Sequence, residues 1–386
     1  MNSQQKPVGF LFKSGRKARL SEGSAVPGEF FYGLRELSGL GQPVLLLEED
    51  ELGTGLCPAW LEPLITHGLD ALAGLNGASL SRLAQSGTLA RLNSCSTLIA
   101  TTNSQGRALA ALTWAGLLKT PVLFLAMGAW PESSGWKNTV LSRLYKRVSL
   151  APIGQPEAQA LRKRLPAHPD LAYLRFGVDH RFWTPAATQP GQQEPYVLAI
   201  GNDAHRDWDC LAKAWRTDFP LLKIVTRRPV PPSAGRLEII AGDWNRQLLS
   251  DEAVRDLYRN ALFVVLPLLE TLQPSGQSAA LQAMACGKAV LLSAISGLWE
   301  PDLLIDGKVC GLVPPSDPIA LARAVNDLLG QPGQIARMGS AARRLVEEHF
   351  TLDRMAQDLQ GRLSCLNLDN PAISGAPSSA GSSSGS

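Results

Sequence analysis

The strongest constraint on this chain is a pattern that runs twice. Short apolar runs alternate with helix-like stretches from residue 7 to about residue 165, stop, and resume at residue 196. In the first half, 7–12 (PVGFLF), 43–49, 96–102, 121–128 and 148–153 predict strands, and 28–37, 107–118 and 157–165 predict helices. The strand runs are continuously apolar rather than alternating, so both faces must be covered. Strands that alternate with helices build a parallel sheet wrapped by helices. Between the halves, 183–195 (WTPAATQPGQQEP) has three prolines, three glutamines and almost nothing to bury. That composition predicts an interdomain linker.

The second half repeats the pattern. Strands are expected at 196–201, 221–226, 237–241, 262–267, 289–294 and 310–315. Helices are expected at 207–216, 250–261 and 278–286, then at about 317–330, 333–348 and 351–365. A chain of 386 residues is too long for one typical core. The expected class is α/β, with two Rossmann-like doubly wound domains facing a cleft. The first covers 1–182, the second 196–350, and 351–368 forms a helix that packs back on the first. Residues 369–386 are rich in Ser, Gly and Ala and are expected to be disordered. Ligands of such sheets bind outside the carboxyl ends of the strands, which directs attention to the cleft.

Several function classes drop out. A net charge of +3 without a Lys/Arg block argues against a nucleic-acid partner. The six cysteines (57, 95, 210, 286, 310, 365) form no C-x-x-C pair and read as reduced thiols of a cytoplasmic protein. The first residues lack the basic and apolar regions of a signal peptide, and no run of about 18 apolar residues suits a membrane span. The five histidines (67, 168, 180, 205, 349) form no Ser–His–Asp or Cys–His pattern. Asp207-Trp208-Asp209 opens a helix, where Asp serves as a cap, so no metal site is expected.

The segment 273–293 (QPSGQSAALQAMACGKAVLLS) carries the chemistry. A helix is expected to start near Ser278, and its first turn leaves N–H groups unpaired where phosphate oxygens fit. Gly276 lets a ligand approach the backbone, while Ser275, Gln277 and Ser278 add donors. Gly287 sits where a left-handed helix stop belongs.

Read together, 174–355 resembles retaining GT-B glycosyltransferases of group 1. Their loop and helix run roughly P-S-x-x-E-G-F-G-L-x-x-x-E-A-M-A-x-G-x-P-V. Gln282, Ala283, Met284, Ala285, Gly287 and Val290 fall on its second half. Gly297 and Glu300 match a following G-x-x-E loop, and Gly311, Leu312, Val313, Pro315 and Asp317 match G-x-L-V-x-P-x-D. Gly177, Val178, Asp179 and Phe182 match the G-V-D-x-x-x-F element that closes the first domain. The resemblance implies a nucleotide-diphosphate sugar as co-substrate, with no other cofactor and no metal. The acceptor would be a glycan, a lipid-linked sugar or a small molecule, bound on the first domain.

The departures are specific. The two glutamates of the pattern fall on Pro274 and Gln282. Gln282 keeps a carbonyl acceptor for ribose hydroxyls without the charge. Glu270, in the same loop, is the acid nearest the vacated first position and is a candidate catalytic residue. In the family's G-R-x-x-x-x-K-G element, Gly201 keeps the glycine, Asn202 replaces the arginine and Arg206 takes the lysine's place. Arg206 would neutralise the leaving diphosphate, with Arg227 or Arg228 as a second cation. A retaining transfer of this type needs no separate base, since the leaving diphosphate takes the acceptor proton. The basic stretch 133–148, with Trp136, Tyr145, Lys137, Arg143, Lys146 and Arg147, is a candidate for peripheral contact with anionic lipid at the inner membrane face. A sugar-nucleotide epimerase shares the architecture but fits the motifs less well. The alternative from a different class is a non-catalytic binding or scaffold protein with a degenerate donor site.

Overall fold

The computed structural model describes residues 5–52, 77–130, 135–186, 194–242 and 248–368. Cys57, His67, most of the expected linker and the tail expected to be disordered lie outside the described residues.

The first sheet has five parallel strands in the order β2-β1-β3-β4-β5. They are β1 (Val8–Phe12), β2 (Val44–Glu48), β3 (Thr97–Ala100), β4 (Val122–Ala126) and β5 (Ser149–Pro152). The associated helices are α1 (Arg16–Ser21), α2 (Leu34–Gly39), α3 (Gly77–Leu83), α4 (Ser86–Asn93), α5 (Asn103–Trp114), α6 (Trp136–Tyr145) and α7 (Gln155–Arg164). One expectation fails here: 28–37 is not a single helix. A 3-10 turn over Gly28–Phe31 stops at Tyr32 and Gly33, both at positive φ (51° and 86°), before α2 begins. Two successive left-handed residues end any right-handed helix.

The second sheet has six parallel strands in the order β11-β10-β9-β6-β7-β8. Its elements run β6 (Tyr196–Ile200), α8 (Trp208–Ala214), β7 (Leu221–Thr226), β8 (Leu237–Ala241), α9 (Asp251–Asn260), β9 (Val264–Leu266), α10 (Gln277–Ala285), β10 (Val290–Ser293) and β11 (Gly311–Val313). Three helices follow: α11 (Pro318–Leu329), α12 (Pro332–His349) and α13 (Leu352–Leu368). Strands β6, β9 and β10 are wholly buried, as continuous apolar runs require. The edge strand β8 has no fully buried residue, and its Ile239 is half exposed.

The chain order reverses between β6 and β9, and the crevice at such a switch point is the default ligand site. Two loops meet there. After β6, residues 205–207 pair antiparallel with 267–269: Asp207 N–H donates to the Pro267 carbonyl at 3.0 Å and Leu269 N–H to the His205 carbonyl at 2.8 Å. This clamp fixes Arg206 beside the entry to α10.

The two sheets are joined through a shared seam. Phe182 and Trp183 make edge contacts with each other, and Trp183 packs on Tyr258 of α9 at 5.8 Å between ring centroids. The Gly177–Phe182 stretch zips α13 onto the first domain. Val178 N–H donates to the Phe350 carbonyl at 2.8 Å, and a Cβ on Gly177 would run into the Thr351 backbone. Asp179 accepts from the N–H groups of Gly28 and Phe182, both at 3.1 Å. Glu300 closes the seam on the other side, accepting from the Tyr173 hydroxyl at 2.9 Å and from Arg175 at 2.7 Å.

Candidate functional site

The helix α10 starts as the sequence predicts. Gly276 is left-handed (φ 77°) at its N-cap, and a Cβ there would lie 2.9 Å from Arg206 Nη1. At the far end, Gly287 is again left-handed (φ 72°), and Lys288 N–H reaches back to the Ala283 carbonyl at 3.0 Å. That is the glycine-terminated helix end expected at C′.

Arg206 is the centre of the site. It is 6% exposed, and among the described residues its Nε and Nη1 have no hydrogen-bond partner. Its third nitrogen, Nη2, lies 3.4 Å from Asp203 Oδ2, a weak pairing. Any side chain on Gly201 would overlap the guanidinium, and Gly201 holds φ at 150°, so glycine is required there on both counts. Burial lowers the Arg206 pKa, offset in part by Asp203. Arginine nonetheless stays a cation, so the interior holds a positive charge in need of an anion.

A cavity of about 230 Å³ opens over this charge. Arg206 lines it with Gly201, Asn202, Arg227, Tyr258, Ser278 and Gln282. Five residues named from sequence (Gly201, Asn202, Arg206, Ser278, Gln282) are thus brought together, with Gly276 immediately beneath.

Asn202 shapes the wall: its Nδ2 donates to the Gly242 carbonyl at 2.7 Å and its Oδ1 accepts from Arg227 N–H at 2.8 Å. Of the two arginines after β7, Arg227 lines the cavity and Arg228 does not. Neighbours leaving a strand point opposite ways. Ser275 is buried against His205, with Oγ 3.2 Å from Nδ1. Gln277 Nε2 donates across the domains to the Ile153 carbonyl at 3.2 Å, so it holds the seam rather than the cavity. Glu270 is exposed, lines neither this cavity nor the ones described below, and accepts from Ser296 N–H at 3.0 Å.

The two vacated acidic positions are filled by protein contacts. Pro274 packs on Gly154 of the first domain, where a Cβ would lie 3.2 Å from the proline ring. Gln282 is 5% exposed and engaged at both ends. Its Oε1 accepts from Tyr258 at 3.3 Å and its Nε2 donates to Glu29 of the first domain at 2.9 Å. Glu29 also accepts from Trp183 Nε1 at 2.6 Å and from Asp179 N–H at 3.1 Å. Burial raises the Glu29 carboxyl to about 7 against the pull of these donors. Gln282 therefore divides the donor-side cavity from a second cleft of about 170 Å³ lined by Arg19, Phe30, Trp183 and Asp251. Sequence reasoning missed Glu29, an acid inside the apolar run PGEFF that no motif marks.

Three smaller expectations resolve plainly. Asp207 caps α8, accepting from Cys210 N–H at 2.9 Å. In 133–148, Trp136 is 53% exposed, but Tyr145 is fully buried and donates to the Ala129 carbonyl at 2.8 Å. It faces inward on α6 and is not a surface anchor. Among the described residues no helix is long and apolar enough to cross a membrane.

Residues 237–331 match the family model for glycosyl transferases group 1. An alpha-maltose-1-phosphate synthase of Mycolicibacterium smegmatis is 26% identical over 263 residues, 60% of this chain and 66% of that protein. A D-inositol 3-phosphate glycosyltransferase of Streptomyces avermitilis is 35% identical over 114 residues. That match covers 30% of this chain and 24% of that protein, so the chain spans just under two thirds of the first relative and about a quarter of the second. Among solved structures, sucrose-phosphate synthase from Thermosynechococcus elongatus superposes with TM-score 0.66 at 16% identity, covering 95% of this chain and all of that one. The Anabaena protein HepE, solved with UDP-glucose, superposes with TM-score 0.64 at 14% identity, covering 93% and 99%. These likenesses establish the two-domain α/β GT-B fold.

Proposed function

We propose that this chain, which belongs to the group 1 glycosyltransferases, moves a sugar from a nucleotide-diphosphate donor to an acceptor hydroxyl with retention of configuration. One observation carries the reading: a buried arginine with two unpartnered nitrogens faces a cavity at the start of a helix. A diphosphate supplies the missing acceptors, and the unpaired N–H groups of α10 add to its binding. Arg227 adds a second cation at the rim. HepE was solved with UDP-glucose and shares the fold, which supports a nucleotide sugar as the class of donor.

The chemistry follows from charge placement. The acceptor oxygen attacks the anomeric carbon as the bond from that carbon to the diphosphate breaks. The acceptor proton passes to a diphosphate oxygen on the same face. Arg206 stabilises the negative charge that develops on the leaving group, the kind of preorganised donor whose loss typically costs about 100–1,000-fold in rate. Holding both reactants in place between the two domains supplies the rest. No protein base is required.

A second reading rests on Gln282 and Pro274. Both are occupied by the protein itself, so the fold could hold a nucleotide without transferring a sugar. The two readings separate in one experiment. Thermal unfolding with UDP, GDP and their sugars should show stabilisation under both, because a ligand of the folded state raises stability. Transfer or slow hydrolysis of one nucleotide sugar, with the α-anomer retained by NMR, then selects the enzyme. No stabilisation by any nucleotide at millimolar concentration would sink both.

A further inference from the structure

On the other side of the clamp that holds Arg206 lies a third cavity, of about 280 Å³, between the two domains. Trp130, Glu157, Leu161 and Arg164 form its first-domain wall, and His205 and Gln273 its second-domain wall. Successive residues therefore face the two cavities, His205 this one and Arg206 the other. Three observations mark it as a built site. Glu157 is 4% exposed, and its Oε1 accepts from Ala129 N–H at 2.8 Å while its Oε2 is buried without a partner. The Arg164 guanidinium lies over the Trp130 ring, 5.5 Å from its centroid, and makes no ion pair among the described residues. Gln273 closes the roof over Gly128, which is left-handed (φ 71°), with its Oε1 2.6 Å from where a Cβ would lie.

We propose that this cavity receives the acceptor as a single polyol ring carrying an anionic substituent. The ring lies along Trp130, the anion pairs with Arg164 at the mouth, and a ring hydroxyl meets Glu157 Oε2 on the floor. The inference rests on the transferase reading for the name acceptor, but the binding it states does not. The volume sits at the lower edge of small-ligand clefts, about 300–1,000 Å³, which suits one ring and not a chain of them. An aromatic wall with a few convergent polar groups is the usual makeup of such a site. An arginine over an aromatic face is partly pre-organised, and its guanidinium matches carboxylate or phosphate geometry. Burial raises the Glu157 carboxyl pKa. Its Oε2 is an acceptor for a ring hydroxyl, which an amide nitrogen at that position would not be.

The anion could be a phosphate ester or a carboxylate, and the test separates them. Binding is read on the full chain by titration calorimetry without donor, using glucose 1-phosphate, inositol 1-phosphate and glucuronate, with glucose and inositol as uncharged partners. The expected result is at least tenfold tighter binding of one charged probe than of its uncharged partner. Arg164→Gln should remove that preference and leave the weak binding of the neutral probe unchanged. Glu157→Gln should weaken charged and neutral probes alike by about three- to tenfold, while Trp130→Phe should retain most binding. Stabilisation by UDP, measured in parallel, should be unaltered in all three variants, which shows that they fold. Equal binding of charged and uncharged probes, a preference that survives Arg164→Gln, or no binding of any probe by a chain that UDP still stabilises would each overturn the proposal. If neither UDP nor GDP nor their sugars bind but the Arg164-dependent preference remains, only the transferase reading falls.

Discussion

Arg206 and Glu300 are both buried charges on the second domain, 6% and 4% exposed, and their surroundings differ in kind. Glu300 is paired on the spot: Tyr173 and Arg175 of the first domain both donate to it within 3 Å. Arg206 keeps two nitrogens unpartnered and faces a cavity. A buried pair that is complete within the chain fixes structure. A buried charge left incomplete is a cost in the free protein that a ligand offsets. Both residues fall on the same family resemblance, so the motif alone does not separate them; their partners do.

The sharpest break of this comparison is Arg206→Met. Removing an incompletely paired buried cation should leave the melting temperature equal or higher, while turnover falls by about 100–1,000-fold. A variant that loses several degrees of stability and keeps its turnover would place Arg206 with Glu300, as structure. The converse is Glu300→Ala. Taking one partner from a fully buried ion pair typically costs about 3–5 kcal/mol, and Arg175, with 31% of its side chain exposed, brings the expected loss below that range. Denaturant unfolding should show that loss, while UDP affinity, measured where the variant remains folded, stays within about threefold. A hundredfold loss of nucleotide affinity there would mean that the seam and the site are one unit.

How much of this was legible in the sequence divides along the same line. The strands and the α10 start were readable because continuous apolar runs, caps and glycine stops are local signals. Gly276 and Gly287 announce left-handed positions, and each has one. Gly201 and Arg206 followed from the resemblance to the family's G-R-x-x-x-x-K-G element, and Ser278 from the expected start of the helix. Glu29, Glu157 and Trp130 were not readable, because their meaning comes from the opposite domain. An acid in PGEFF becomes notable only when Gln282 arrives 253 residues later in the chain. The break at Tyr32 was also hidden, since its left-handed backbone is set by tertiary packing and no glycine marks that position. Arg227 and Arg228 could not be told apart until the exit direction of β7 was known.

Glu29 supplies the third test, because it lies between the two kinds of region: paired like Glu300, yet poised near neutrality. Its carboxyl is raised from 4.5 to about 7 by burial. The sign follows from linkage. Below about pH 4.5 the group is protonated in both states and costs nothing; as pH rises toward 7 the unfolded chain ionises while the folded one resists. Stability should therefore fall over that window, by about 3 kcal/mol at 1.36 kcal/mol per unit. Glu36, Glu157 and Asp251 are raised in the same direction, so the contribution of Glu29 is the difference between wild type and Glu29→Gln. The variant should show a flatter curve between pH 4.5 and 7. Parallel curves would mean that Glu29 is already ionised in the folded protein, stabilised by Trp183, Gln282 and the Asp179 N–H.

The smallest expected effect belongs to Glu270, and it tests whether the comparison holds once a donor is bound. In sequence Glu270 is the acid nearest the vacated first position; in the fold it is exposed and accepts from Ser296 N–H at 3.0 Å. Glu270→Ala removes one exposed hydrogen bond, worth at most about 1 kcal/mol. From this geometry turnover should change less than threefold. The same loop carries Thr271, Leu272 and Gln273 into the cavity walled by Trp130 and Glu157. A donor that drew the loop inward would have to break the bond to Ser296 and bring the carboxylate toward the sugar. In that event Glu270→Ala would lower kcat by about 100-fold with KM nearly unchanged, the signature of an interaction made only in the transition state. The size of this one effect therefore decides whether the cleft is already formed or is completed by its donor.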